Sequence, residues 1–238
     1  MGEGEKAPPP DLHDSFSGHS DRACLSFHRV RFARAISWFP MTSLLSLRTP
    51  QSAAVDRLRA EAASATLQLA GTVGFALLMV LSAESAVRVY LWEVPITLQT
   101  LVVYGSGLYL GGRNGALAQL LYLSLGMFFP VFAGDGSGID YLMAAPSAGY
   151  LLSYPLAAGA IGLLSKRWNS LTGSVLAALV GSAIIFTCGV AWLHVAAGHA
   201  TWMESIDKGW LRFALIDAIK ILAIGLLYTG TRALHRNG

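Results

Sequence analysis

The sequence predicts an all-α membrane protein that folds as a bundle of six transmembrane helices. Of its 238 residues, 54% are apolar and only 13% are charged, whereas a soluble domain usually has about 25% charged residues. The charges are also unevenly placed, since residues 1–69 hold 15 of the 31 and the rest of the chain holds 16. That longer part has too little polar surface for a soluble globule, but enough apolar length for several membrane spans of about 20 residues.

These observations exclude several classes of protein. A soluble enzyme needs more polar surface, and two cysteines cannot form a disulfide scaffold. The net charge of +3 comes from basic residues scattered beside apolar segments. This pattern indicates membrane topology and not nucleic-acid binding.

Residues 1–65 are predicted to form a polar, disordered extension, and residues 66–236 the membrane domain. The extension includes the prolines at 8–10 among Asp, Ser, His and Gly residues. The stretch 22–55 has five arginines and no acid, as in organelle-targeting segments, although these normally begin at the first methionine. The alternative is that translation starts at Met41 and the preceding residues are dispensable. Both interpretations stay open.

Hydropathy divides the membrane domain into six predicted spans. The first follows directly on the polar extension, and the second begins after Pro95, whose fixed φ and missing N–H suit a helix start. The second span is short and interrupted by Gly105 and Gly107. A glycine-rich loop separates the third span from the fourth, and the sixth contains two ionisable residues. The six spans cover residues 66–83, 97–110, 115–132, 142–164, 171–197 and 210–233.

The distribution of lysine and arginine predicts that both termini are cytoplasmic. Six spans place both termini on one side, and positive residues are enriched in cytoplasmic loops. With the N-terminus inside, the outer loops hold three basic residues, Arg88, Lys208 and Arg212. The inner loops then hold seven, namely Arg57, Arg59, Arg113, Lys166, Arg167, Arg232 and Arg236.

Asp217 and Lys220 are the strongest candidate functional residues because ionisable side chains at membrane depth are costly. Their spacing of three places both on one helical face. They are expected either to form an internal salt bridge or to line a polar pocket for a small ligand that is reachable from outside.

Two segments near the predicted outer side contain further candidates. Thr97 and Gln99 follow Pro95, and Gln99 both donates and accepts hydrogen bonds, so it is either an interfacial residue or a ligand contact. The loop 130–138 has Gly134, Gly136 and Gly138 at alternate positions. Glycines there expose backbone N–H groups, so this loop is either a flexible turn or a lid over the site.

Two other patterns have simpler interpretations. Ala70 and Gly74 form a small-xxx-small pair, which allows a second helix to pack closely, either within this bundle or in a partner subunit. His194 and His199 lie five residues apart on different helical faces, with no third ligand nearby, so no metal site is predicted.

Three stretches together resemble the BioY family, the biotin-specific membrane subunits (S components) of energy-coupling-factor (ECF) transporters. They are 94–101 (VPITLQTL), 115–134 (from GAL through PVFAG) and the Asp217-x-x-Lys220 pair. The resemblance covers residues 66–236 and implies a fold of six membrane helices. In family members the motif P-T-G-G-Y follows the glycine loop, whereas residues 146–150 of this chain are PSAGY.

The resemblance implies that the ligand is biotin. Lys220 would then neutralise the valerate carboxylate, and Asp217 would accept hydrogen bonds from the ureido N–H groups. It also implies that Ala70 and Gly74 dock to the coupling membrane subunit, which works with two ABC ATPases. Further candidate contacts are Gln99, Thr97, Asn114, Tyr122, Gly134, Gly136 and Tyr150.

The expected function is therefore biotin uptake, without catalysis and without a cofactor in this chain, in a bacterial-type plasma membrane. ATP would be hydrolysed by the partner ATPases, because the chain has no G-x-x-x-x-G-K-[ST] motif. An organelle membrane is the alternative if residues 1–65 are a targeting segment. Two rival functions are transport of another small vitamin and an intramembrane enzyme with Asp217 and Lys220 as acid and base. No nucleophile or metal set on a matching face supports the enzyme.

Overall fold

The computed structural model describes residues 58–59, 63–84, 93–168 and 170–234. Nearly all of the predicted extension 1–65 lies outside these ranges, as do Arg57, Arg88 and Arg236. Within them the regular elements are helices, and Phe132 and Gly136 are paired by an isolated β-bridge. The elements are α1 (Ala65–Glu84), α2 (Gln99–Phe128), α3 (Gly138–Ala144), α4 (Ala148–Arg167), α5 (Leu171–Ala196), α6 (Trp202–Ile206), a π-helix (Asp207–Leu211) and α7 (Ala214–Leu234).

The long helix α2 folds back on itself at Gly111. This residue has φ 79° and ψ 178°, a conformation that glycine adopts at no steric cost. A Cβ at Gly115 would lie 2.9 Å from the carbonyl oxygen of Ser106, although nine residues of straight helix rise about 13 Å. The limbs 99–110 and 112–128 are therefore antiparallel and correspond to the second and third predicted spans. With α1, α4, α5 and α7 they complete the six predicted membrane segments.

Three of the predicted boundaries are wrong. The third span was expected to end at 132, but α2 ends at Phe128. The fourth span was expected to be continuous over 142–164, but the chain leaves the helix after Ala144 and α4 begins at Ala148. Pro146 accounts for this break, because proline disfavours helical conformation in the residue before it, and Ala145 is indeed extended. The sixth span was expected from residue 210, which lies in the π-helix, and α7 begins only at Ala214.

Length and hydropathy support the membrane assignment. Three of the described helices, α1, α4 and α5, are each long and apolar enough to cross a bilayer. α1 exposes Leu69, Leu77 and Leu81 by more than half of their surface. Exposed leucines of this kind suit lipid contact, since the hydrocarbon core of a bilayer is as apolar as the side chain. The chain is thus an integral membrane protein with six membrane segments.

α2 and α4 form the centre of the bundle. α2 packs against α1, α4 and α7, while α5 packs against α4 and α7. α4 approaches α2 closely at the turn of α2, where a Cβ added to Gly162 would lie 2.0 Å from the backbone nitrogen of Gly112. Arg59 ties the same end together by donating to the Tyr228 hydroxyl, to Ser165 Oγ (2.7 Å) and to the Gly162 carbonyl (3.2 Å).

Candidate functional site

A pocket lies at the opposite end of the bundle from the α2 turn. The empty space between its walls, including the open mouth, is about 590 Å³. Its wall combines one acid, one base and several aromatic rings. The lining residues are Val94, Pro95, Thr97, Gln99, Thr100, Ala133, Tyr141, Ser147, Tyr150, Leu151, Tyr154, Phe186, Phe213, Ile216, Asp217 and Lys220.

Asp217 is buried in the first turn of α7 and receives two hydroxyl hydrogen bonds. Tyr104 donates to Oδ1 at 2.7 Å, and Ser182 donates to Oδ2 at 2.5 Å. These donors come from α2 and α5, so three helices meet at this carboxylate. Each carboxylate oxygen can accept more than one hydrogen bond, and the residue lines the pocket. Asp217 therefore keeps acceptor capacity for a ligand.

Lys220 lines the same pocket one turn further along α7. Its ammonium group donates to the carbonyl of Thr97 at 2.6 Å and to Thr100 Oγ1 at 3.0 Å. An ammonium group has three N–H donors, so these two contacts leave one for a ligand. Lys220 forms no ion pair with Asp217. Of the two sequence-based alternatives, the internal salt bridge is thus wrong, and the residues line a pocket.

Thr97 and Gln99 are both in the pocket wall, where a ligand can reach them. The Thr97 hydroxyl donates to Gln99 Oε1 at 3.0 Å, and Gln99 Nε2 donates to the Tyr122 hydroxyl at 2.8 Å. Tyr122 in turn donates to the carbonyl of Val131 at 3.2 Å. Tyr122 is fully buried and does not line the pocket. It orients Gln99 from behind and links it to the loop 129–137.

Aromatic rings cover another side of the pocket. Phe186 of α5 stacks on Trp210 of the π-helix, with ring centroids 5.8 Å apart and planes inclined by 7°. Phe186 also packs edge-on against Tyr150 and in a tilted arrangement against Phe213. Tyr150, a predicted site residue, is in the wall, and its hydroxyl donates to the Gly209 carbonyl at 2.8 Å. This wall offers a flat apolar surface beside the two charges.

The glycine loop contributes to the pocket differently from the prediction. Phe132 and Gly136 are paired by a β-bridge that closes a tight turn, and Ala133 is the residue of this turn that lines the pocket. Gly134 is exposed and does not line the pocket, and neither does Gly136. A Cβ on Gly136 would come 2.3 Å from the ring of Tyr141. Glycine at 136 thus admits the Tyr141 ring, and the structure assigns it no ligand contact.

Asn114 is also absent from the pocket. It lies three residues after the turn at Gly111, and its Nδ2 donates to Gln68 Oε1 on α1 at 3.3 Å. The contact joins α1 to α2 at the far end of the bundle. The sequence did not reveal this position, because it depends on the turn at Gly111. Asn114 lies beside that turn, and the limb 99–110 separates the turn from the pocket.

Sequence reasoning missed several residues that complete the site. Tyr104 and Ser182 hold Asp217, Thr100 holds Lys220, and Tyr154, Phe186 and Phe213 line the wall. Hydroxyls and rings inside apolar spans resemble ordinary packing residues, so only their partners distinguish them. A weak signal existed for Tyr104, which follows Gln99 in the same motif-bearing span.

A charged cap lies beside the pocket mouth. Lys208 of the π-helix pairs with Glu93 at 3.1 Å and with Glu204 of α6 at 3.0 Å. Glu93 immediately precedes Val94 and Pro95 of the pocket wall. A hydrogen bond from its own backbone and the ammonium group of Lys208 hold the pKa of Glu93 below its ordinary value, against a smaller effect of burial. The cap therefore ties the segment before α2 to the segment before α7.

The two histidines of α5 and its C-terminal loop belong to this cap. The Nδ1 atoms of His194 and His199 lie 2.9 and 3.0 Å from Ser205 Oγ. His199 Nε2 is 3.6 Å from Glu93. Across the described ranges, no group of three or more His, Cys, Asp or Glu residues is arranged to hold a metal ion.

Comparisons with known proteins agree with this architecture. The model of the BioY family matches residues 53–237. A protein named probable biotin transporter BioY from Lysinibacillus sphaericus is 34% identical over 170 residues, which cover 68% of this chain and 85% of that protein. The biotin transporter BioY of Thermotoga maritima is 33% identical over 142 residues, covering 59% of this chain and 82% of that protein.

A solved structure has the same fold. The crystal structure of the S-component for biotin from an ECF-type ABC transporter aligns with a TM-score of 0.64 at 21% identity, covering 73% of this chain and 93% of the other. The family match spans most of the membrane domain and contains the pocket, both of its charged residues and the helices that hold them. The chain belongs to the BioY family of membrane transport proteins.

Proposed function

We propose that this protein captures biotin in the pocket between α2, α4, α5 and α7 and delivers it across the membrane. The observation that carries the proposal is the pair Asp217 and Lys220, which line one pocket while each forms its hydrogen bonds with other residues. The names of the relatives in Lysinibacillus sphaericus and Thermotoga maritima support biotin as the ligand. The function is transport, and no catalytic step is assigned to the chain.

Lys220 is proposed to bind the carboxylate of the valerate chain. Two of its donors are occupied by Thr97 and Thr100, so its orientation is set before the ligand arrives. The third N–H is then available for a charge-assisted hydrogen bond to the carboxylate. Thr97, Thr100 and Gln99 supply the polar surface beside this contact.

Asp217 is proposed to accept from the ureido N–H groups of the bicyclic ring. Tyr104 and Ser182 hold the carboxylate in place, so little orientational freedom is lost on binding. The rings of Tyr150, Phe186 and Phe213 are proposed to cover the apolar sulfur-containing ring. An acid and a base one helical turn apart in the same wall offer an acceptor and a cationic donor, which suit a ligand that has both N–H donors and a carboxylate.

Energy for transport is proposed to come from partner subunits. The sequence has no P-loop motif, so the chain itself has no recognised means of binding ATP. We propose an ECF coupling membrane subunit and two ABC ATPases, docked through the face of α1 that carries Ala70 and Gly74. The proposed location is a bacterial-type plasma membrane, with an organelle membrane as the alternative if residues 1–65 direct targeting.

The first experiment is equilibrium binding of labelled biotin to the purified full-length protein. We expect sub-micromolar binding, weakened about 30-fold or more by Asp217→Asn and by Lys220→Ala, because each leaves a buried partner unpaired. Matched controls are Asp140→Asn and Lys166→Ala, which change exposed charges outside the pocket. Absence of sub-micromolar binding by the unmutated protein would refute the biotin assignment.

A ligand series separates the two charged contacts. Lys220→Ala is expected to weaken binding of biotin much more than binding of biotin amide, since the amide has no negative charge to lose. Asp217→Asn is expected to weaken both. Displacement of biotin by an unrelated vitamin at lower concentration would favour another substrate, and recovery of chemically altered ligand would favour the intramembrane enzyme.

A further inference from the structure

Tyr154 is a buried tyrosine on α4 whose hydroxyl has no partner among the described residues. Its side chain is 4% exposed, and the residue lines the pocket. The other tyrosines of the wall are engaged, since Tyr150 donates to the Gly209 carbonyl and Tyr141 to the Ala133 carbonyl. Tyr154 shares the pocket wall with Asp217, the acid that is proposed to bind the ureido N–H groups.

Tyr154 is nearly buried as a residue, but its hydroxyl oxygen is not among the buried atoms that lack a hydrogen bond, so it is open to the pocket. A ligand that covers this hydroxyl without offering an acceptor leaves it unpaired, which is unfavourable. A ligand that brings an acceptor avoids this cost. The position of Tyr154 in the pocket wall is where such a partner can reach it.

The proposed ligand has one group that still needs a donor. A ureido ring presents two N–H donors and one carbonyl acceptor. Asp217 only accepts, so it serves the N–H groups and leaves the carbonyl oxygen unpaired. Lys220 is committed to the carboxylate at the other contact. Tyr104 and Ser182 already donate to Asp217, whereas the Tyr154 hydroxyl donates to no described residue.

We propose that the Tyr154 hydroxyl donates a hydrogen bond to the ureido carbonyl oxygen of bound biotin and so selects ligands that carry an acceptor at that position. This inference rests on the proposed function, because it names a further contact within the same site. In this arrangement Asp217 binds the two N–H groups and Tyr154 binds the carbonyl oxygen between them. Tyr154 thereby contributes to the specificity for a ureido ligand.

The test compares two ligands with the Tyr154→Phe variant, which keeps the ring and removes only the hydroxyl. We expect biotin to bind about 3- to 10-fold more weakly, the value of one neutral hydrogen bond. 2-Iminobiotin has a nitrogen in place of the carbonyl oxygen and is protonated there at neutral pH, so it offers no acceptor. Its affinity is expected to be unchanged or improved by the substitution.

Tyr150→Phe is the matched control. Its hydroxyl donates to the protein at Gly209, so its removal is expected to change the affinities of biotin and 2-iminobiotin by the same factor. An equal loss for both ligands in Tyr154→Phe would indicate a structural role and overturn the inference. Unchanged biotin binding in Tyr154→Phe would overturn it as well.

The two proposals fail in different ways. If the unmutated protein does not bind biotin, the proposed function is wrong; if it binds biotin and Tyr154→Phe binds it equally well, only this inference is wrong. Infrared spectroscopy gives a second readout of the same contact. The carbonyl band of bound biotin labelled with ¹³C in the ureido group is expected at a higher frequency in Tyr154→Phe than in the unmutated protein, and an equal frequency would contradict the hydrogen bond.

Discussion

At the scale of single residues, Asp217 depends on two hydroxyl groups that come from other helices. Tyr104 is 113 residues away in sequence and Ser182 is 35 residues away. Hydrogen bonds to a carboxylate are roughly twice as strong as those between neutral groups. They also fix the direction in which the remaining lone pairs point, so we infer that both residues position Asp217 for the ligand.

The positioning role predicts that Ser182→Ala and Tyr104→Phe weaken binding of biotin about tenfold each, since a hydrogen bond to a charged group contributes about 1.5–3 kcal/mol. Isothermal titration calorimetry measures the change. In the Asp217→Asn background the same substitutions should have little further effect, because they act through the carboxylate.

Ser174→Ala is the control for these variants. Ser174 is buried on the same helix as Ser182, but its hydroxyl bonds to the Ser170 carbonyl and not to the site. We expect its affinity for biotin to match that of the unmutated protein. If Ser182→Ala lowers the affinity for biotin as much in the Asp217→Asn background as in the unmutated protein, the positioning role is contradicted and a general effect on folding is indicated.

At the scale of elements, the turn of α2 at Gly111 sets how α2 and α4 pack against each other. α4 can pass this turn only because Gly162 has no side chain where it meets the backbone of Gly111 and Gly112. Backbone in this position cannot move aside as a flexible side chain can. The close contact keeps α2 and α4 in the register that brings Gln99 and Tyr154 to the same pocket.

Gly162→Ala is therefore expected to destabilise the protein by about 1–3 kcal/mol, the usual cost of overpacking a well-packed core. The melting temperature in detergent without ligand measures this. Gly230→Ala is the matched control, since that glycine also lies in a helix but has nothing within 4 Å of the added Cβ. A drop in melting temperature of equal size for both variants would contradict the explanation by close packing.

The cap over the pocket mouth is the second element that can be tested. Its pair Glu93 and Lys208 holds the start of the α2 segment against the π-helix. The pKa of Glu93 in the folded protein lies below the ordinary value of 4.5. A carboxyl group with a lowered pKa stabilises the fold above its unfolded pKa, and this contribution is lost as the pH falls through the folded value.

Glu93→Gln is accordingly expected to lower the melting temperature of the ligand-free protein at pH 7 and to lose this effect as the pH falls through the lowered pKa of Glu93. Thermal unfolding of both proteins across the pH range gives the difference directly. In a Lys208→Met background the effect at pH 7 should shrink, because the ammonium group is one of its causes. A loss of melting temperature in Glu93→Gln that grows as the pH falls would contradict this prediction.

At the scale of the whole molecule, α1 presents a face suited to a partner. Ala70 is exposed, and a Cβ added to Gly74 would have nothing within 4 Å. Among the described residues, no neighbouring helix occupies the space at Gly74. A second helix can approach closely there, as small residues permit in membranes. The proposed occupant is the coupling subunit of an ECF transporter.

Gly74→Leu is expected to leave biotin binding by the purified protein unchanged and to abolish most uptake of labelled biotin by cells that express the partner subunits. The added side chain blocks close approach but lies outside the pocket. Gly230→Leu, at a similarly open position on α7, is the control and should transport normally. Loss of binding in Gly74→Leu would instead show that this face packs within the protein's own bundle.

The basic residues that the structure describes lie toward the two ends of the bundle that the sequence predicts as inner and outer. Arg113 follows the turn of α2, Arg167 ends α4 and Arg232 is in the last turn of α7, whereas Lys208 and Arg212 lie in and beside the cap. That both termini lie in the cytoplasm stays a prediction from the distribution of lysine and arginine.

The sequence by itself determined the class of the protein and the number of its membrane segments. Hydropathy depends on each residue's own side chain, so runs of apolar residues could be assigned without knowing their neighbours. Asp217 and Lys220 were also found this way, because a charge inside an apolar run is unusual wherever the run packs. The residues Gln99, Thr97 and Tyr150 followed from the motifs that carry the family resemblance.

Only the tertiary structure decided what the two charges do and which residues surround them. Asp217 and Lys220 share a helix face, which equally suits a salt bridge, but Asp217 accepts from Ser182 of α5 and Lys220 donates to Thr97 and Thr100. Asn114, Gly134 and Gly136 were expected in the site from the family resemblance and the glycine pattern of the loop, but none of them lines the pocket. The physical reason is that hydrophobicity is a property of one residue, whereas a buried polar group is defined by its partner, and here the partners lie on other helices.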